Sequence, residues 1–441
     1  MNRSIRFIIY VLAIISWSGC DHDSESEPDY GSPYFSHKHV LPQTQSSENL
    51  AEYLSSEHME YDLGGWFFFG SLEEDTLPDK PGVFFISMQR IAQEIYGTIY
   101  QTVPAIAAFN SPHSGKYVFG GVYTIDMEPY VQITSSPWQV KINSQEQKES
   151  LMTMRLISGM LGQPNAEYRL TSYVPDQMGD TLIAEIILRD RLGTVNQGYG
   201  TASFFPQYLT EAQQVEISLS YNSSVQQYLG NTGDPMAGQG SFYYSLPLMD
   251  VESFSIRRNN DIESQGTKGV MWMDHVVQSY SGEAADILID KASWEFFSIM
   301  LPEESAAIMV IRIESGTGVL PVAKFFKNST DRTRNSALNA VYSWDMDDIT
   351  IEAGSGGNLW VSPETGLEYV QEYHILLESD DYSADLTIRM IRENQEIVVD
   401  LTEYGMEKTI KYEGLAWVTG TLEGKAVNGI AFVELQPFGY Q

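Results

Sequence analysis

The chain has 441 residues and carries 26 basic against 59 acidic side chains, for a formal net charge of −33. So acidic a surface repels phosphate backbones, which argues against nucleic acid as a partner, and it disfavours lying flat on anionic lipid. Hydrophobic residues at 43% and aromatics at 12% can fill a large core, and the length suits two domains of ~100–200 residues. The single cysteine, Cys20, excludes internal disulfides and thiolate metal clusters.

The elements are taken in chain order. Arg3 and Arg6 precede an apolar run from Phe7 to Trp17 and then Ser18-Gly19-Cys20. This is the three-part layout of a secretory signal over 1–19, and the run is too short to span a bilayer as a mature helix. Small residues before a cysteine resemble a bacterial lipobox, although Trp17 stands where an aliphatic residue is usual. The expectation is a chain cut and acylated at Cys20, held at the bacterial cell envelope and facing the periplasm or exterior. The alternative is plain secretion. Residues 20–58 are rich in Asp, Glu, Ser, Pro and His and predict a disordered, flexible tether. His22, His37 and His39 are read there as solvated surface.

From Trp66 the pattern is one of strands. Trp66-Phe67-Phe68-Phe69 ends at Gly70, and Val83 to Gln89 follows Pro81-Gly82. Trp138 to Ile142, Val215 to Leu219 and Leu386 to Met390 alternate apolar with polar, which predicts antiparallel strands with one buried face. Gln145 to Gly159 is the best candidate helix. Glu423-Gly424 between two apolar runs predicts a hairpin turn. The fold class expected is all-β, with two antiparallel β-barrel or sandwich domains in tandem over 59–255 and 256–441. The polar stretch Arg257 to Asp261 motivates that boundary.

Several short motifs resemble the AttH/CrtC family, lipocalin-like proteins that include carotenoid 1,2-hydratases. They are Trp66-Phe-Phe-Phe-Gly-Ser-Leu72, Ser241-Phe-Tyr-Tyr-Ser-Leu-Pro247, Met271-Trp-Met-Asp-His275, Trp294 to Leu301, Lys411-Tyr-Glu-Gly414 and Gly429 to Leu435. Their shared order over most of the chain is far more specific than any one of them. The resemblance implies two lipocalin-like barrels, an apolar ligand, and hydratase-like or cyclising acid–base chemistry. Two departures stand out. Gly64 and Gly65 occupy the place of a Glu and a Trp pair, and Val276, Val277 and Gln278 follow the Asp-His where the hydratases have Trp-Gly. Val277 offers no aromatic face to a developing cation, which favours the rival reading of a non-catalytic lipid or pigment carrier. An envelope attachment factor is a third possibility.

The residues that can carry chemistry are few. Asp274 and His275 are adjacent, so on a strand they face opposite sides. Imidazole moves protons near neutral pH. Glu413 lies in an otherwise apolar segment, where a carboxylate is either buried with a raised pKa or paired with a base such as Arg312. Glu434 is a second carboxylate in reach of the same motifs. Trp66, Tyr244, Trp272, Trp294 and Tyr412 are core or ligand-lining aromatics. A structural role for the Asp274–His275 pair, closing a seam between domains, stands beside the catalytic one. His58, His113 and His374 have no zinc spacing, and no His-Glu-x-x-His, P-loop or Gly-x-Ser-x-Gly is present. Neither metal nor cofactor is therefore expected. The expected partner is a hydrophobic small molecule, with the membrane reached only through the N-terminal lipid.

Overall fold

The computed structural model describes residues 63–436 except 78–79, 96–97, 114, 116, 127–130, 144–149, 176–178, 200–240, 279–291, 316–317, 328–341, 345, 355–357 and 400–408. The signal, Cys20 and the tether lie outside the described residues, as does the strand expected at Val215 to Leu219.

The first sheet is built from β1 (Leu63–Glu73), β2 (Gly82–Ile95), β3 (Thr98–Asn110), β4 (Tyr117–Asp126), β5 (Val131–Ser135), β6 (Trp138–Ile142), β7 (Met152–Ser158), β8 (Glu167–Pro175), β9 (Thr181–Asp190), β10 (Val195–Tyr199), β11 (Ser241–Arg258), β12 (Asp261–Gly266) and β13 (Lys268–Gln278). Its order is β4-β3-β2-β1-β13-β11-β9-β8-β7-β6-β5, with β10 and β12 also on β11. The second sheet takes up β14 (Ala292–Leu301), β15 (Ala306–Ser315), β16 (Gly318–Lys327), β17 (Tyr342–Ser343) and β18 (Ile349–Ala353). After the separate hairpin of β19 (Leu359–Val361) and β20 (Glu368–Val370) it continues with β21 (Glu372–Glu378), β22 (Ser383–Met390), β23 (Glu396–Val399), β24 (Thr409–Leu422) and β25 (Lys425–Gln436). Its order is β17-β16-β15-β14-β25-β24-β22-β21-β18, with β23 on β24. Pairing is antiparallel throughout the described ladders. The fold is all-β, a half-barrel beside a nearly closed barrel.

Burial follows the strand period where one face meets water. Along β8 it is Tyr168, Leu170, Ser172 and Val174 that are buried, and along β9 Leu182, Ala184, Ile186, Leu188 and Asp190. The aromatic run on β1 breaks that period because both faces of the strand are covered. Trp66 and Phe68 enter the core inside the first sheet, while Phe69 enters a seam where the two sheets pack together. Phe69 stacks there on Phe432 of β25 at 4.4 Å between centroids. Gly70 sits at φ +155, and a Cβ at that position would overlap the Val270 carbonyl oxygen, so only glycine admits β13 so closely. Pro247, which has no N–H to give the ladder, falls where the β11–β13 register slips between Leu246 and Met249.

Two expectations need adjusting. Within Gln145 to Gly159 the described residues form strand β7, not a helix. Met152 and Met154 are buried and Arg155 is exposed, so a period of two satisfies the segment once β6 and β8 flank it. The division expected at 255 falls inside β11, and sheet membership changes between Gln278 and Ala292.

Candidate functional site

Strand β13 divides the Asp-His pair between two compartments. His275 is 1% exposed and faces the interior of the first sheet, stacked on Trp66 at 4.3 Å with Tyr244 edge-on at 5.0 Å. Its Nδ1 lies 2.7 Å from the Gly65 carbonyl oxygen. A carbonyl can only accept, so Nδ1 carries a proton. Gly64 places no side chain here, and the Arg90 guanidinium, fully buried, lies across that gap beside Trp66. Burial pushes the Tyr244 phenol far above its ordinary pKa, and the hydroxyl of Tyr168 adds to the rise.

Asp274 faces the seam. Its Oδ1 accepts from Ser245 Oγ at 2.5 Å and from Trp272 Nε1 at 2.5 Å, and the Trp272 ring meets Phe326 of β16 edge-on. Two positions before Phe326 on the same strand, Lys324 is 1% exposed, and burial pushes its ammonium down to about 7.

Glu413 of β24 is also on the seam side, because Leu415, two residues on, packs into the seam core while Tyr412 faces the interior of the second sheet. Its side chain is wholly buried, and neither carboxylate oxygen makes a hydrogen bond. Lys411 Nζ stands 3.3 Å from Glu413 Oε1 and 2.7 Å from Glu434 Oε1. The longer contact is a charge contact without hydrogen-bond alignment. Burial raises the Glu413 pKa well above the usual carboxylate range, Glu434 adds to the rise, and Lys411 only partly opposes it. Burial works to strip the proton from Lys411, yet Glu434 and then Glu413 outweigh it, and its pKa is raised. Trp294 Nε1 donates to Glu434 Oε1 at 3.1 Å. Across the seam, Tyr117 of β4 donates its hydroxyl to the Glu413 backbone oxygen. Burial first, then Glu413 and Tyr412, hold that phenol well above its ordinary pKa.

Glu413 therefore does not pair with Arg312; that guanidinium meets Glu295 at 3.3 Å on the other face of the second sheet. Lys411 was legible as the partner, since residues i and i+2 of a strand share a face. Tyr117, nearly 300 positions away, carried no such signal. Tyr412 lies inside the second sheet with Tyr369 at 4.8 Å between centroids, and its hydroxyl meets Gln395 Nε2 at 3.2 Å. The five expected aromatics thus separate. Trp66 and Tyr244 join His275, Trp272 joins Asp274, Trp294 joins Glu434, and Tyr412 lies apart in the second barrel. The arrangement that can give up a proton into apolar surroundings is Glu413 with Lys411 and Glu434.

A model of the AttH-like family matches residues 204–440, more than half of the chain. A solved structure of a Nitrosomonas europaea protein assigned as AttH superposes with a TM-score of 0.57 at 18% identity, covering 91% of this chain and 99% of that one. That likeness is one of fold. Kievitone hydratase from Nectria haematococca gives 0.49 at 12% identity, over 91% of this chain and 94% of its own. CghA with Sch210972 gives 0.38 at 11%, over 86% and 89%. No curated protein matches significantly.

Proposed function

The chain belongs to the AttH-like family, and from that premise we propose that it performs cofactor-free acid–base chemistry on an apolar small molecule, hydratase-like or cyclising, with Glu413 as the acid. The observation that carries this reading is a fully buried carboxyl with neither oxygen hydrogen-bonded, beside one ammonium and a second carboxylate. A carboxyl kept neutral by burial is a proton donor near neutral pH, as general-acid catalysis requires.

In the hydratase form the π electrons of an alkene take the Glu413 proton, forming a C–H bond and a carbocation. Water adds its oxygen to the cation, and the surplus proton returns to the Glu413 carboxylate, so that one water is added in all. Lys411, at 3.3 Å, stabilises the carboxylate that forms between the two proton transfers. In the cyclising form a second alkene of the same molecule meets the cation, and loss of a proton to Glu413 closes the cycle. His275 and Asp274, each held by hydrogen bonds within its own compartment, are read as positioning groups for β13. A second reading, capture of an apolar molecule without turnover, is favoured by Val277 and by the glycines that stand in place of the opening Glu.

To test this, purified protein is extracted with organic solvent, and any retained lipid is identified by mass spectrometry. That lipid and a panel of polyprenyl alkenes, squalene among them, are then incubated with the protein in ¹⁸O-labelled water. Acid catalysis predicts labelled alcohol or a cyclised isomer, with turnover reduced about 100-fold or more in Glu413→Gln. Wild-type turnover in that variant removes Glu413 from the mechanism, and a retained lipid that stays unchanged favours the carrier. The reading also sets this chemistry outside the cytoplasm on an acylated Cys20; palmitate labelling of the wild type but not of Cys20→Ser is the outcome expected.

A further inference from the structure

Glu413 shares its face of the second sheet with another buried group whose hydrogen bonding is incomplete. Phe296 packs into the seam core, and its register partner on β25 is Glu434, itself the partner of Glu413 on β24. Two residues further along β25, Gln436 points to the same side, since i and i+2 of a strand share a face. It is the partner of Trp294 and stands one step past the Tyr412–Leu435 pair, opposite Lys411. Four polar side chains thus form a two-by-two patch, with Glu413 beside Glu434 and Lys411 beside Gln436.

Within the patch, Lys411 and Trp294 both donate to Glu434 Oε1, at 2.7 Å and 3.1 Å. The Gln436 oxygen is left out of that network. Gln436 is 5% exposed, yet its Oε1 meets no donor among the described residues, and neither Glu413 oxygen has a hydrogen-bond partner there. A buried amide oxygen without a donor is costly. Diagonal neighbours such as Gln436 and Glu413 lie ~7–8 Å apart along a ladder, a span that two long side chains and one bridging water fill. Side-chain exposure rises from 0% at Glu413 to 12% at Lys411 and 22% at Glu434, so the patch meets solvent toward the strand ends.

We propose that Gln436 holds and aims the water that adds to the cation, and so selects hydration over cyclisation. The inference rests on the acid role given to Glu413. Once Glu413 has protonated the alkene, the water directs one hydrogen to Gln436 Oε1 and the other to the Glu413 carboxylate. Its lone pair is thereby turned toward the cation. As the C–O bond forms, the hydrogen on the carboxylate passes to Glu413, and the hydrogen on Gln436 stays with the product hydroxyl. The amide neither gains nor loses a proton. A hydrocarbon has no O–H to give this oxygen, so the alkene itself leaves it unmet.

The full chain is incubated with the polyprenyl alkenes in ¹⁸O-labelled water, and labelled alcohol and unlabelled isomer are resolved by mass spectrometry. Wild type should give mainly the alcohol. Gln436→Met, similar in length but without the amide oxygen, should lower the ratio of alcohol to isomer about tenfold or more. Loss of folded protein lowers total turnover and leaves this ratio unmoved. An unchanged ratio, with turnover still lost in Glu413→Gln, overturns this inference alone, as does a wild type that yields only isomer. Absence of wild-type turnover overturns the acid role as well. Should Gln436→Met not fold, a crystal structure of the wild type decides. A water within hydrogen-bond distance of both Gln436 Oε1 and Glu413 is expected, and an amide oxygen left dry or met by a protein donor overturns the proposal.

Discussion

A buried carboxylate is costly unless donors surround it, and the second sheet holds two that differ in this respect. Glu396 is 8% exposed and accepts from Ser362 Oγ at 2.5 Å, Tyr369 OH at 2.7 Å and Thr365 Oγ1 at 2.8 Å. Glu413 accepts no hydrogen bond. The first carboxylate pins the β19–β20 hairpin to the sheet; burial, with Glu434 adding to it, raises the pKa of the second. That difference has a sign in the dependence of stability on pH. Because the folded pKa of Glu413 is raised above its unfolded value near ~4.3, the unfolded chain releases this proton more readily as pH rises. Its contribution is fully present below the unfolded pKa and is lost as pH climbs through the folded one. Glu413→Gln should therefore match wild type in a denaturant midpoint near pH 4 and exceed it increasingly toward pH 8. Equal midpoints across that range would show that Glu413 is not held protonated.

Among the elements, the β24–β25 hairpin was the most legible. Glu423 and Gly424 have φ of 53° and 69°, both positive as a type I′ turn requires. Glycine takes that conformation freely, whereas for an ordinary L-residue the left-handed region costs ~1–2 kcal/mol. Glu423 recovers little of this, since among the described residues its carboxylate accepts only the exposed Ser383 N–H, at 3.2 Å. Asparagine tolerates the conformation better, so Glu423→Asn should raise unfolding stability by up to about 1 kcal/mol, read as a shifted urea midpoint at unchanged slope. A lowered midpoint would mean that the Ser383 contact outweighs the backbone term. The segment around β7 was misread for the opposite reason. Met, Leu and Arg are good helix formers, and only the neighbouring strands β6 and β8 turn Met152 and Met154 inward together.

At the scale of the molecule, what unites the two sheets is a seam that is apolar in its middle and polar at its edge. Arg392, from the segment between β22 and β23, reaches the first sheet and donates to Asn110 Oδ1 at 2.7 Å, to the Ser111 oxygen at 3.2 Å and to the Pro81 oxygen. Asn110 Nδ2 answers with a bond to the Asn394 oxygen at 3.1 Å. On another strand connection, Arg191 donates to the Pro302 oxygen at 2.5 Å. Removing a charged donor leaves several carbonyls unmet, and bonds to charged groups are worth ~1.5–3 kcal/mol each without being additive. Arg392→Ala should therefore destabilise by about 2–3 kcal/mol and split thermal unfolding into two transitions, with hydrogen exchange rising first around Asn110 and Asn394. A single transition at the wild-type temperature would assign sheet docking to the apolar seam alone.

By itself, the sequence determined the strand-rich character, the two-sheet organisation, the family and the short list of ionisable residues, because each of these rests on local pattern: alternation, turn chemistry and motif order. It also determined that Asp274 and His275 would face apart, which follows from strand geometry. The tertiary structure alone decided which compartment each one enters, that Glu413 lies beneath Tyr117 and beside Lys411 and not Arg312, and that Glu295 meets Arg312 and Tyr373 on the other face of that sheet. Those facts depend on contacts between strands far apart in the chain, and a buried group takes its protonation state from neighbours that no local pattern names.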